Sequence, residues 1–276
     1  MLRFFRQIRQ RLLTDNPPDQ ASRAGKFSKY LLYAIGEILL VVIGILIALQ
    51  VDSWNEERDN KSRQNAFYRS IMVDLESDRK NIEDLSAFYK NRIDNLTWLL
   101  IRVRNPVLDL DPVDFGKHTE PLYYNESAIS FDATFETSKS TGTFEHFKDM
   151  ELLKKLIEYY SGFENIDDVN TSTLRFIEST FEPLMATLAN DFLNGETAEG
   201  VVIVEGNTDF YALLGSLEDK RGNDSPKAIA RFLQDPRFES FLIGDLGRSF
   251  NMLKRLEGRR EMLNDLRVEI KRYLND

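Results

Sequence analysis

Glu37 is the residue whose position raises the sharpest chemical question. It is the one ionisable group in the 22-residue run Tyr30–Val51, YLLYAIGEILLVVIGILIALQV. A carboxylate facing lipid costs about 2.5–3.5 kcal/mol at the membrane centre on insertion scales, and less off-centre. On a helix, Ala34, Glu37, Val41, Gly44, Ala48 and Val51 fall on one stripe, spaced 3, 4, 3, 4 and 3. Gly44 and Ala48 form a small-xxx-small pair that lets backbones approach closely. The stripe therefore predicts contact with a second helix, either a copy of this chain or another membrane protein. Three readings of Glu37 stay open. It is hydrogen-bonded across such an interface, it snorkels towards Lys29 and the headgroups, or it is a proton-titrating group of an ion-coupled subunit.

Other chemistry is sparse in the sequence. There is no cysteine, hence no disulfide, thiolate zinc site or cysteine nucleophile. Neither GxxxxGK[ST] nor a GxGxxG after a strand occurs, which removes the common phosphate loops. The two histidines, His118 and His146, belong to no HExxH or HxxxH pair; a surface or capping role is expected for each. A hydrolase would need one of them beside a hydroxyl, and nothing in the sequence locates such a pair. The hydroxyl-rich stretch Phe131–Phe147 reads as a helix stop at Ser140–Gly142 followed by an N-cap, with a peptide or glycan surface as the other reading. The pair Asp167-Asp168 lacks calcium-loop spacing and reads as a solvated face. No catalytic residue, metal site or cofactor is expected, and the chain reads as non-enzymatic.

Charge separates the chain into parts. With 36 Lys+Arg and 45 Asp+Glu the net charge is −9, yet residues 1–29 carry +5 and residues 52–276 carry −13. The acidic bulk argues against nucleic acid as a partner. At 1.5 Å per residue the Tyr30–Val51 run reaches roughly 33 Å, enough to cross a hydrocarbon core of about 30 Å. Tyr30 and Tyr33 at one end and Trp54 at the other suit the two interfaces. The run is too long for a signal-peptide core, and Ala48-Leu49-Gln50 offers no small-x-small cleavage site, so it reads as a signal anchor. Lys26 and Lys29 abut the span, whereas Asp52, Glu56 and Glu57 come first beyond it; this places the N-terminus in the cytoplasm. In MLRFFRQIRQRLL, Arg3, Arg6 and Arg9 oppose Phe5, Ile8 and Leu12, the pattern of a short basic helix lying in an anionic leaflet. A frayed basic tail is the other reading.

Helical periodicity then runs almost to the end. Phe67, Ile71, Leu75, Ile82, Leu85, Tyr89, Ile93, Leu96, Leu100 and Val103 repeat near 3.5 residues, with Asp78 in place of one apolar residue. No Gly or Pro interrupts Val51–Asn105, so the span is expected to continue as a stalk helix. Pro106 to Pro121 reads as an irregular connector. Further helices are expected over Ser127–Lys139, Glu145–Phe163, Val169–Leu193 with a kink at Pro183, Lys227–Gln234 and Phe238–Leu274; Val201–Val204 has a weak strand look and Lys220–Pro226 reads as a loop. The predicted fold class is all-α: one transmembrane helix (30–51) continuing into a long stalk helix, with an antiparallel helical bundle (52–276) outside and a basic head (1–29) inside. The first and last outer helices should pack together, their stripes serving a core within one chain rather than an intermolecular coiled coil.

The block Lys26–Arg58, KFSKYLLYAIGEILLVVIGILIALQVDSWNEER, together with the head, resembles a bacterial family of single-span membrane proteins of unknown function. Gly36, Glu37, Gly44, Gln50, Trp54, Asn55 and Glu56 carry the resemblance, and Thr134–Tyr160 is similar to the family's second common block. Pro17–Gly25 departs from it, being longer and more polar than the usual link. The resemblance implies membrane location and helical architecture, and supplies no activity. The expectation is a self-associating or partner-binding protein of the bacterial cytoplasmic membrane whose outer domain scaffolds an envelope component. An ion-coupled accessory subunit using Glu37 is the alternative.

Overall fold

A computed structural model describes residues 23–106, 110–188, 207–217 and 225–275. Among the described residues there are helices and connecting turns and no strand. The chain divides into two compact units, 1–62 and 63–276. Helix α1 runs Arg23–Arg104, 82 residues with no break. In the first unit, every described side chain from Ala34 to Asp59 is exposed. One helix is long and apolar enough to cross a membrane, and none of its apolar window is buried within the chain.

In the second unit the stripe that begins at Phe67 turns inward. Phe67, Tyr68, Ile71, Leu75, Ile82, Leu85 and Tyr89 enter one apolar cluster, and Leu96 and Leu99 a second. Between α1 and the last helix the segments are short. Helix α2, Pro112–Thr119, is closed at its start by Asp111, whose side chain accepts from Val113 N–H at 2.9 Å. A 3-10 turn follows at Glu120–Tyr123. The proline-rich stretch expected to be irregular is thus partly helical: Pro112 occupies the first turn, where a missing N–H costs nothing. Phe115 and Leu122 anchor this stretch in the second cluster.

Helix α3 spans Ala133–Ser140, starting later than the sequence suggests. Gly142 (φ 70°) turns the chain in the left-handed region that glycine tolerates, and a 3-10 turn, Thr143–His146, follows. The single helix expected over Glu145–Phe163 is α4, Met150–Ser161, because Asp149 caps Leu152 N–H at 2.9 Å and starts it afresh. Helix α5, Glu164–Phe176, passes into a π turn, Ile177–Phe181, and then α6, Glu182–Met185. The wide turn lies just ahead of Pro183, which has no N–H for the carbonyl four residues back, and takes the place of the expected kink. Helices α7, Asn207–Ser216, and α8, Ser225–Phe232, precede α9, Pro236–Asn275, where Asp235 accepts from Arg237 N–H at 2.9 Å. The strand look at Val201–Val204 and most of the Lys220–Pro226 loop lie outside the described residues.

Helices α1 and α9 contribute buried residues to both apolar clusters. Met252, Leu256, Leu263, Leu266 and Ile270 join the first, Phe238, Phe241 and Leu242 the second. Burying each such side chain fully contributes roughly 1.5–3 kcal/mol. Polar contacts between the two helices run in opposite sequence order: Gln64 with Tyr273, Glu76 with Arg267, Arg92 with Asp245, Arg104 with Glu239.

One close approach depends on glycine. A Cβ built on Gly162 would lie 1.2 Å from Arg259 Nη2. That guanidinium donates to the carbonyls of Tyr159 and Glu158 and sits 5.4 and 5.1 Å from the Tyr159 and Phe163 ring centroids. Gly162→Ala must expel it from a buried place. The expected loss is about 1–3 kcal/mol, read as a lowered midpoint in thermal denaturation followed by helical circular dichroism.

Candidate functional site

The stripe on the apolar half of α1 has Ala34, Glu37, Val41, Gly44 and Ala48 all exposed in the single chain. A Cβ placed on Gly44 would meet nothing within 4 Å, so the groove along this face is open. Trp54 is 61% exposed. The side chains of Tyr30 and Tyr33, and all of Arg3, Arg6 and Arg9, lie outside the described residues.

A second arrangement is polar and buried. Between the two apolar clusters, Arg92 on α1 and Asp245 on α9 are 1% and 0% exposed and paired at 2.7 Å. Arg92 Nε also donates to Asp245 Oδ2 (2.9 Å), and its Nη1 donates to Tyr124 O (2.7 Å) and Pro121 O (3.4 Å). Nη2 donates to Leu122 O (3.3 Å). One guanidinium thus ties three elements together. Burial pushes the Asp245 carboxyl up, against the pull of Arg92 and Arg248. Around the pair, Tyr89 OH donates to Asn125 Oδ1 (2.9 Å), Asn125 Nδ2 to Asn170 Oδ1 (2.5 Å), and Asn170 Nδ2 to Ser127 Oγ (2.7 Å). The arrangement fixes the register of α1, α5 and α9. It brings no nucleophile to a base.

His118 departs from the surface or capping role expected of it. It is half-buried and stacked on Trp98, with ring centroids 3.9 Å apart. The Arg102 guanidinium carbon is 3.3 Å from the Trp98 ring centroid. Two groups at such separations cannot share one face, so the indole is sandwiched. Asn95 Nδ2 donates to Asn91 O, which leaves Oδ1 towards His118 Nδ1 at 2.6 Å; the imidazole proton is therefore on Nδ1. Burial, then Arg102, holds the ring below its ordinary basicity. The Nδ1 partner of His118 is thus the Asn95 amide oxygen. The side chain of His146 lies outside the described residues. No group of three metal-ligating side chains occurs among the described residues.

The hydroxyl-rich stretch closes a helix, as one of its two readings has it. Ser140 Oγ and Thr141 Oγ1 both donate to Thr137 O at 2.9 Å, and Thr141 Oγ1 meets Thr143 Oγ1 at 2.8 Å. The residue before the following turn is Gly142, with no side-chain cap. Asp167 and Asp168 are exposed.

Fold and site together define a class: a protein helical throughout its described residues, with one helix among them long and apolar enough to cross a membrane. Its similarity is to a family of unknown function (DUF6090), whose model matches residues 37–109. That stretch begins at Glu37 and carries Gly44, Trp54, Asp78, Arg92 and Trp98, all on α1; Thr134–Tyr160 lies beyond it. No curated protein and no solved structure matches the chain.

Proposed function

We propose that the chain is a single-span protein of the bacterial inner membrane that associates through the Ala34–Glu37–Val41–Gly44–Ala48 face and scaffolds an envelope component. The associating partner is a second copy of the chain or another membrane protein. Residues 1–29 form the cytoplasmic head and 30–51 the span. Residues 52–276 lie on the extracytoplasmic side as an antiparallel helical bundle, for which the reversed order of contacts between α1 and α9 speaks. The reading involves no catalysis and no cofactor. The single observation that carries it is a carboxyl group set on the same open face as Gly44, within an apolar window that nothing among the described residues covers. In lipid such a group gains from a partner across an interface.

The test is native mass spectrometry of the full chain in mild detergent, with Gly44→Ile and Glu37→Gln. Wild type should give oligomers or a co-purifying membrane protein, and Gly44→Ile should lower the associated fraction at least tenfold by blocking backbone approach. Monomers alone, with no co-purifying protein, sink the reading. Glu37→Gln separates the interface from the ion-coupled alternative: lost assembly supports the former, and a wild-type phenotype in cells removes the latter.

A further inference from the structure

The irregular stretch 124–132, between the Glu120–Tyr123 turn and α3, is held to α1 by hydrogen bonds along its length: Arg92 and Tyr89 bond to Tyr124 O and Asn125 at its start, and two backbone N–H groups bond to α1 further on. Ile129 N–H donates to Asn81 Oδ1 (3.1 Å) and Phe131 N–H to Asp78 Oδ1 (2.8 Å). The second Asp78 oxygen accepts from Tyr159 OH of α4 at 3.0 Å. One fully buried carboxyl therefore joins α1, this strap and α4. The groups that face it are mostly of its own sign or neutral. Asp74 comes from α1, Asp132 from the strap, and Tyr159 and Tyr160 from α4. From α9, Arg259 lies near but spends its hydrogen bonds on the Tyr159 and Glu158 carbonyls. No cation bonds to Asp78 itself. Ile129 and Phe131 are exposed, and the apolar contact of the strap with the first cluster is made by Ala128.

We propose that Asp78 is a proton-operated latch: proton uptake by its carboxyl tightens the 124–132 strap onto α1 and α4, and ionisation loosens it. The proton comes from solvent. Once protonated, the carbonyl oxygen still accepts from Phe131 N–H, while the new hydroxyl donates to Tyr159 Oη, whose own hydrogen rotates away. Neither contact is lost, and the buried charge is. Burial pushes the closed-state carboxyl up to about 6, whereas a lifted strap returns it to water and to its ordinary value near 3.8. The sign follows from linkage. The raised closed-state value makes the tight form relatively most stable below about 3.8, and that advantage is lost as pH rises through about 6. Opening should fall roughly tenfold between pH 7.5 and pH 5.

The experiment is hydrogen–deuterium exchange of the full chain in detergent or nanodiscs at pH 7.5, 6 and 5, corrected for intrinsic exchange, on peptides covering 125–132. Wild-type protection should rise about tenfold towards pH 5. Asp78→Asn, which keeps an acceptor for Phe131 and a donor for Tyr159, should be flat and already protected at pH 7.5. Tyr159→Phe removes a bond to the charged form and should move the midpoint upward. Protection that ignores pH in wild type, or a full response surviving in Asp78→Asn, overturns the latch. If Asp78→Asn does not fold, an unmoved midpoint in Tyr159→Phe overturns it instead.

Discussion

Asp245→Ala should lower the stability of the chain by about 3–5 kcal/mol, the largest loss expected of any single substitution here. Arg92 would keep its carbonyl partners and lose its only carboxylate, leaving an uncompensated charge at a site that is 1% exposed. The Arg92→Met, Asp245→Leu double variant should recover part of this, since it takes both charges out of a dry layer between two apolar clusters. Recovery should stop short of wild type because Pro121 O, Leu122 O and Tyr124 O lose their donor. Denaturant titration of wild type, Arg92→Met, Asp245→Leu and the double variant measures the coupling directly. Additive single losses, with no recovery in the double variant, would mean that the pair does not act as a unit.

That pair also marks where sequence reading stops. The long helices are legible because periodicity is a property of neighbours: apolar residues recurring near 3.5 give α1 beyond Phe67 and α9, and a 22-residue, largely apolar run gives the span. Asp78 stands out for the same reason, as the break in a regular stripe. Arg92 and Asp245 are 153 residues apart, and each looks like one more charge on a solvated helix face. Only the docking of α1 on α9 removes them from water. Glu120 and Arg259 are hidden in the same way. Helix α2 was obscured by composition, because Pro112 signals a break to a reader who does not see Asp111 capping the turn that Pro112 opens. His118 looked peripheral among prolines and glycine, and its stack on Trp98 depends on that same short helix. Local chemistry in this chain is therefore readable, whereas buried polar chemistry is set by partners far away in sequence.

The matched stretch 37–109 adds a constraint to this picture. It spans the carboxyl group of the apolar helix, the Asp78 latch and the Arg92 anchor, three polar groups on one uninterrupted helix. Each is an acid or base on a helix whose neighbouring periodic positions are apolar. In the second unit the contacts of Arg92 and Asp78 join α1 to α9 and to α4, as buried polar groups that set register do.

Glu120→Gln should raise stability at pH 8 by up to about 3 kcal/mol and leave it nearly unchanged at pH 4. Glu120 is 3% exposed, and its one side-chain hydrogen bond comes from Tyr124 OH at 3.1 Å. Burial pushes its carboxyl up to about 7, outweighing that bond. Below about 4.5 the group is protonated both folded and unfolded and costs nothing. As pH rises from there the unfolded chain ionises first, so folding is progressively penalised until the folded carboxyl ionises near 7, above which the penalty is constant. Glutamine keeps an acceptor for Tyr124 and removes the charge. The difference between variant and wild type, measured by denaturant titration from pH 4 to pH 8, isolates this group from Asp78, whose contribution has the same sign between about 3.8 and 6 and is common to both chains. A stability gap that is already full at pH 4, or that closes as pH rises, would show that something other than the buried charge of Glu120 sets it.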